Sequence, residues 1–202
     1  MTDQTQRERL IELFKFTPIL KSSDLAEHKI DSKTVQRMAE SGEVRRIARG
    51  IYTRPDVEAD SHHSLVEAQM IVDAGVLCLL SALSYHEIAT LTPSRVWIAV
   101  PRGTRLPKIA NHPIKVVTFS GEAFSEGIEE HEIESITVGV YSVAKTVADC
   151  FKYRNKLGNY VAVEALREAL QARKASADEI LHYAGICRVR NVMMPYLESV
   201  LQ

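Results

Sequence analysis

The sequence predicts an α+β protein in two parts: a small helical head closed by a β-hairpin, then a larger domain with a small sheet and several closing helices. Three observations carry that expectation. Residues 7–41 hold three short amphipathic stretches separated by cap and stop signals, and two β-rich runs follow on either side of Arg49-Gly50. Val96–Val100 and Ile114–Phe119 are β-rich runs fenced by Pro93, Pro101 and Pro113. From Ser142 onward the apolar spacing is helical. Strands first and helices last is the α+β order, not the alternating βαβ one.

Leu10, Ile11 and Phe14 recur at helical spacing within Arg7–Lys15, a first helix ended by Thr17-Pro18, since the residue before a proline is pushed out of the α region. Ser22 or Ser23 is expected to cap a second helix over Asp24–His28, with Leu25 as its apolar contact. Asp31-Ser32 opens a third helix, to about Ser41. It turns Val35, Met38 and Ala39 inward and leaves Lys33, Gln36, Arg37 and Glu40 on the outer face. Gly42 stops it. Val44–Ala48 and Ile51–Thr53 read as strands, with Gly50 able to supply the positive φ of a tight hairpin. Helix, short helix, helix and hairpin is the order of a winged helix-turn-helix. The polar connector around residues 55–60 sets the expected boundary, 1–58 for this domain and 59–202 for the rest.

In the second part Leu65, Ala68, Ile71 and Val72 share a helix face ending at Gly75, and Ser81–Ile88 reads as a short helix. One or two strands are expected over Ile133–Tyr141. Ser142 then caps a helix with Val143, Val147, Cys150 and Phe151 inward, stopped at Gly158. Two or three helices close the chain, over Tyr160–Arg173 with Val163, Leu166 and Leu170 inward, Asp178–Ile186 and Val192–Leu201.

Composition narrows the class. The 202 residues are 46% hydrophobic and 25% charged, ordinary for a globular protein, and no apolar run reaches membrane-spanning length. The polar, mixed-charge start Met1–Arg9 is unlike a secretory signal, so the expected location is the cytoplasm. Cys78, Cys150 and Cys187 stand alone in sequence and read as reduced core thiols. Net charge is −1, but it is unevenly spread: residues 1–55 carry eleven Lys/Arg against eight Asp/Glu, the remainder fourteen against eighteen.

That basic excess gathers on the third helix and the hairpin. Gln36 has the amide that pairs with adenine, and Arg37 or Lys33 the donors that pair with guanine, if the helix enters a major groove. Arg45, Arg46 and Arg49 are placed to hold phosphates or probe the minor groove. With Ser32 and Thr34 on the same helix, these are the expected DNA-binding residues. A solvated charged face on a protein–protein module is the competing reading.

No catalytic constellation emerges. Ser142-Val143-Ala144-Lys145 matches S-x-x-K, but neither S-D-N nor K-T-G follows; the plainer reading is an N-cap and a surface Lys145–Asp149 pair at i, i+4. His62-His63 lacks a further metal ligand at suitable spacing and reads as surface histidines. Ser84, His86 and Glu87 have triad residue types but only sequence adjacency. Gly103 is alone in its loop, so no phosphate loop is expected. No enzyme activity, cofactor or metal is expected.

Leu25–Pro55, with Ser32-Lys33-Thr34-Val35-Gln36-Arg37 and Gly42-Glu43-Val44-Arg45-Arg46-Ile47-Ala48-Arg49-Gly50-Ile51-Tyr52, resembles the N-terminal domain of AbiEi-type antitoxins. Leu80–His86, Val96–Pro101 and Tyr141–Phe151 resemble that family's second domain, in the same order. The resemblance implies a regulator that represses its own operon and a type IV antitoxin counteracting a co-encoded nucleotidyltransferase-like toxin without a stable complex. Its implied partner is double-stranded DNA at its own promoter; because one winged-helix unit contacts too few base pairs to be selective, two copies are expected on repeated half-sites, with self-association before binding left open. Tyr141, Lys145, Thr146 and Asp149 lie in the matching motif and are candidates for the antitoxin effect, with a structural role equally open. Two other readings remain at this point: a ligand-responsive regulator, and a nuclease-like second domain.

Overall fold

The computed structural model describes residues 5–55, 61–89, 93–107, 109 and 112–201. They divide into two compact units, residues 1–73 with 106–110 and 132–137, and residues 74–105, 111–131 and 138–202. The chain is a mixed α+β protein, as expected. The connector at 56–60 lies outside the described residues.

The first unit runs α1 (Gln6–Leu13), β1 (Ile19–Lys21), α2 (Ser22–Glu27), α3 (Ser32–Glu40), β2 (Arg45–Ala48), β3 (Ile51–Thr53) and α4 (Ser61–Ile71). Helix α1 is started by a closed capping box: Thr5 Oγ1 accepts from the Glu8 N–H, and the Glu8 carboxylate accepts from the Thr5 N–H. Leu10, Leu25, Val35 and Met38 from the helices meet Leu20 and Tyr52 from the sheet in one core, with Phe14 at the end of α1 and Val44 just before β2. The sheet is antiparallel in the order β1-β3-β2. Strand β1 is absent from the sequence expectation because three residues are too few to show a period of two, and its partner lies about thirty residues on. The second helix also starts earlier than expected. Lys21 holds the cap position, its N–H donating to the Asp24 carboxylate at 2.7 Å. Ser22, expected as a cap, instead donates its N–H and hydroxyl to the Gly50 carbonyl, at 2.8 and 3.3 Å. The turn of the hairpin is thereby tied to the start of α2.

The second unit contains β4 (Val76–Leu77), α5 (Leu79–Tyr85), β5 (Val96–Pro101), β6 (Ile114–Phe119), α6 (Glu122–Ser125), β7 (Ile128–Ile133), β8 (Ile136–Tyr141), α7 (Val143–Lys152), α8 (Arg154–Leu157), α9 (Asn159–Gln171), α10 (Ala177–Ile186) and α11 (Arg190–Leu201). The outer ends of β7 and β8 cluster with the first unit. The sheet order is β6-β5-β4-β8-β7, with β5 parallel to β6, β4 antiparallel to β5, and β4 parallel to β8. The expected run Ile133–Tyr141 is part of a hairpin that begins at Ile128. Its first strand, Ile-Glu-Glu-His-Glu-Ile, is mostly exposed and so carries little apolar signal. Glu134 and Ser135 form its turn with φ of 51° and 63°, the two positive values a type I′ turn requires.

Helix α7 is the centre of this unit. Every residue from Val143 to Phe151 is buried, with α5, α9 and α10 packed around it. It ends at Lys152, short of the expected stop; α8 follows, and Gly158 at φ 95° closes that helix instead. In α9 the fully buried residues are Ala162, Ala165, Leu166 and Ala169, while the expected Val163 and Leu170 are half-buried. Small side chains bring that helix close to α7.

Gly50 sets a limit that can be tested. Its φ is +75°, and an added Cβ would lie 2.9 Å from Ser22 Oγ. Gly50→Ala should lower stability by about 1–3 kcal/mol, the usual cost of a side chain held in the left-handed region. Urea unfolding measures this; a variant as stable as the parent would show that the turn shifts away from Ser22 freely.

Candidate functional site

The exposed face of α3 is polar because Val35 and Met38 occupy the inward positions, leaving Ser32, Lys33, Gln36 and Arg37 to solvent, with Thr34 half-buried. Gln36 Nε2 donates to Glu40 at 3.0 Å, and Arg37 reaches Thr34 Oγ1 at 3.4 Å. Both are exchangeable surface contacts. On the hairpin a register shift between Arg46 and Ala48 puts Ile47 into the interior and leaves Arg45 and Arg46 exposed. Arg49 is exposed at the turn beside Gly50, and Arg46 Nε donates to the Ala48 carbonyl at 3.2 Å. Arg45 differs from the others. Its guanidinium sits 2.5 Å from Glu67 on α4, so its charge already has a partner. Residue order gave no sign of this, because Glu67 lies 22 positions along the chain.

Glu67 also lies 3.3 Å from His63 Nε2, and His63 Nδ1 is 2.9 Å from Glu134. His62 is exposed as expected, but His63 is fully buried, which corrects the reading of both as surface histidines. Among the described residues no cluster of His, Cys, Asp or Glu is arranged to hold a metal ion. All three cysteines are buried and unpaired with each other.

The second-unit motif forms one buried network. Lys145 Nζ bonds Asp149 Oδ2 at 2.6 Å, with side chains 0% and 3% exposed, so the expected surface pair is in fact a buried one. The Lys145 ammonium lies over the rings of Tyr141 and Phe119, 4.2 and 4.9 Å from their centroids. Cys187 Sγ donates to the other Asp149 oxygen at 3.2 Å, and Thr146 Oγ1 donates to the Tyr141 carbonyl. Tyr141 Oη donates to the Phe124 carbonyl at 2.7 Å. Burial pushes the Asp149 carboxyl above its ordinary value, against the pull of the Lys145 ammonium. Burial and then the Asp149 charge push the Cys187 thiol up to about 12, so it is a poor thiolate former. Gly127 admits this packing: a Cβ there would come within 2.8 Å of Lys145 Cβ. Sequence spacing found the pair and misplaced its depth.

Ser142 caps α7 as expected, its Oγ accepting from the Lys145 N–H at 3.3 Å. It borders a cleft of about 640 Å³ with His86, Glu129, Lys174, Asp178 and His182. The polar groups around this cleft are largely engaged: Lys174 with the His86 and Glu87 carbonyls, Glu179 with Ser176, and the His86 ring with the Tyr141 carbonyl at 2.8 Å.

The first unit thus contains a winged helix-turn-helix with a polar, exposed α3 face, the class of module that transcription regulators use. Residues 8–55 match the family model described as "Transcriptional regulator, AbiEi antitoxin", the family that the sequence motifs resemble. The fold is shared with the crystal structure of the RV2827C protein from Mycobacterium tuberculosis, at a TM-score of 0.64 and 13% identity, over 91% of this chain and 73% of that one. No curated protein matches the chain. That family is described as one of transcriptional regulators. Among the described residues no helix is long and apolar enough to cross a membrane.

Two outcomes follow from the buried network. Lys145→Ala should cost about 3–5 kcal/mol by stranding the Asp149 carboxylate, whereas Lys145→Met with Asp149→Leu should recover most of that loss. Denaturant midpoints of the second unit's transition compare the two; equal losses would show that the charges are solvated and not buried. His86 supplies a pH test. Burial lowers its pKa, so the folded state resists protonation more than the unfolded chain does. Stability from this source is present above the unfolded value of about 6.5 and is lost as pH falls through the lower folded value. His86→Gln should flatten the stability-against-pH curve below that point, and a parallel curve would assign the acid loss to other groups.

Proposed function

We propose that this protein is a DNA-binding autorepressor and antitoxin. Residues 1–58 bind duplex DNA at the protein's own promoter, in repeated half-sites on which two copies associate. Residues 59–202 counteract a co-encoded nucleotidyltransferase-like toxin without a stable complex. The observation that carries the DNA reading is the exposed α3 face, with Lys33, Gln36 and Arg37 accessible on a helix of a regulator family. Ser32 and Thr34 add hydroxyls at the start of that helix, and Arg46 and Arg49 supply wing cations. Arg45 contributes less, because binding a phosphate requires it to leave Glu67. The antitoxin half rests on the family resemblance. In it Tyr141, Lys145, Thr146 and Asp149 hold the second domain in shape, and their effect on neutralisation runs through that shape.

A full-length variant with Lys33, Arg37, Arg46 and Arg49 changed to Ala separates the two activities. Each lost phosphate contact should flatten the plot of log K against log salt by about 0.9. Gln36→Ala alone should relax sequence preference by roughly 1–3 kcal/mol at one position. With toxin expressed from an independent promoter, the four-residue variant should still rescue growth while failing to shift promoter DNA. Unchanged promoter binding would remove α3 and the wing from the model of recognition. Loss of rescue in a folded variant would make neutralisation a consequence of DNA binding.

A further inference from the structure

From Ile88 to Gly121 the chain has no Asp or Glu, yet it carries Arg95, Arg102, Arg105, Lys108 and Lys115. The other residues from 56 onward hold nine basic side chains against eighteen acidic ones. One stretch of an otherwise acidic half is therefore strongly positive. The fold gathers it at one edge of the second unit's sheet. Strands β5 and β6 run parallel and in register, Trp97 opposite Lys115 and Pro101 opposite Phe119, and β6 is the outermost strand. Arg95 and Lys115 lie where the two strands begin, and Arg102 and Arg105 lie just past the end of β5.

All four are exposed, and none has a carboxylate within ion-pair distance among the described residues. The Lys115 ammonium rests 5.9 Å above the centre of the half-buried Trp97 ring. At about 3.3 Å per residue the two ends of the edge stand roughly 20 Å apart. That is about six base-pair steps of duplex. A lysine on an edge strand is commonly a guard against strand pairing. That role accounts for Lys115, but Arg95, Arg102 and Arg105 lie outside the strand. A linear polyanion matches the spacing.

We propose that the β5–β6 edge is a second duplex-DNA contact, separate from the winged helix, that holds phosphates without reading sequence. It adds salt-sensitive affinity to whatever selectivity α3 supplies, and it does not depend on the promoter reading above.

The test uses full-length protein and a duplex of unrelated sequence. Arg95→Ala, Arg102→Ala, Arg105→Ala and Lys115→Ala are combined. A control variant removes the same charge from exposed positions elsewhere on the unit, Lys152, Arg173, Arg188 and Arg190, each changed to Ala. The edge variant should flatten the slope of log K against log salt by about 3, with an unchanged melting temperature, and the control should change it by less than about 1. The same loss should appear when the edge substitutions are added to the α3 and wing variant, so failure of the promoter reading leaves this result intact. An unaltered slope, or an equal change in the control, overturns the assignment. Loss of single-stranded RNA binding with duplex binding retained overturns it as well, since the surface would then serve a different nucleic acid.

Discussion

A lysine and an aspartate sit at the centre of the second unit with essentially no access to water, and the surrounding helices are arranged around that fact. Removing two charges from water costs several kcal/mol each, and mutual attraction offsets this only where the remaining hydrogen-bonding capacity is also met. Here the Lys145 ammonium faces the Tyr141 and Phe119 rings, and the second Asp149 oxygen accepts from the Cys187 thiol just past α10. Each of these comes from a different element. The ion pair thus fixes how β6, β8, α7 and α10 are placed relative to one another.

The first unit solves a different problem with different means. The core its three helices and sheet share is built from apolar and aromatic side chains, and the α3 and hairpin cations lie outside it, where ion pairs contribute little to stability. Definition comes from backbone instead. The closed capping box at Thr5 and the bonds from Ser22 to the Gly50 carbonyl fix where helices start and where the wing turns. The cations on α3 and at the hairpin turn are therefore not needed to hold the fold together.

The α3 face was legible in the sequence for a physical reason. Inward and outward residues of one helix recur within nine positions, so periodicity alone separates Val35 and Met38 from Lys33, Gln36 and Arg37. Lys145 and Asp149 show the limit of the same reasoning. Spacing of four puts two side chains on one helix face but says nothing about what covers that face, and α7 is covered all round. His63 was misplaced for the same reason. Strands β1 and β7 escaped notice because one is very short and the other mostly exposed; both are specified by distant partners and not by their own pattern.

Charge shows the distinction most clearly. A count of basic residues treats Arg45, Arg46 and Arg49 alike, and the fold does not. Glu67, from a helix outside the winged-helix motif, neutralises Arg45 and leaves its two neighbours exposed. Glu67 itself faces His63, which in turn faces Glu134 on the β7–β8 turn. A phosphate that recruits Arg45 must therefore displace the Glu67 carboxylate. The positive potential available to DNA is set by the partners that folding assigns to each arginine, and these are long-range properties of the chain. Clusters of basic residues are accordingly easy to find from sequence and hard to rank residue by residue without the fold.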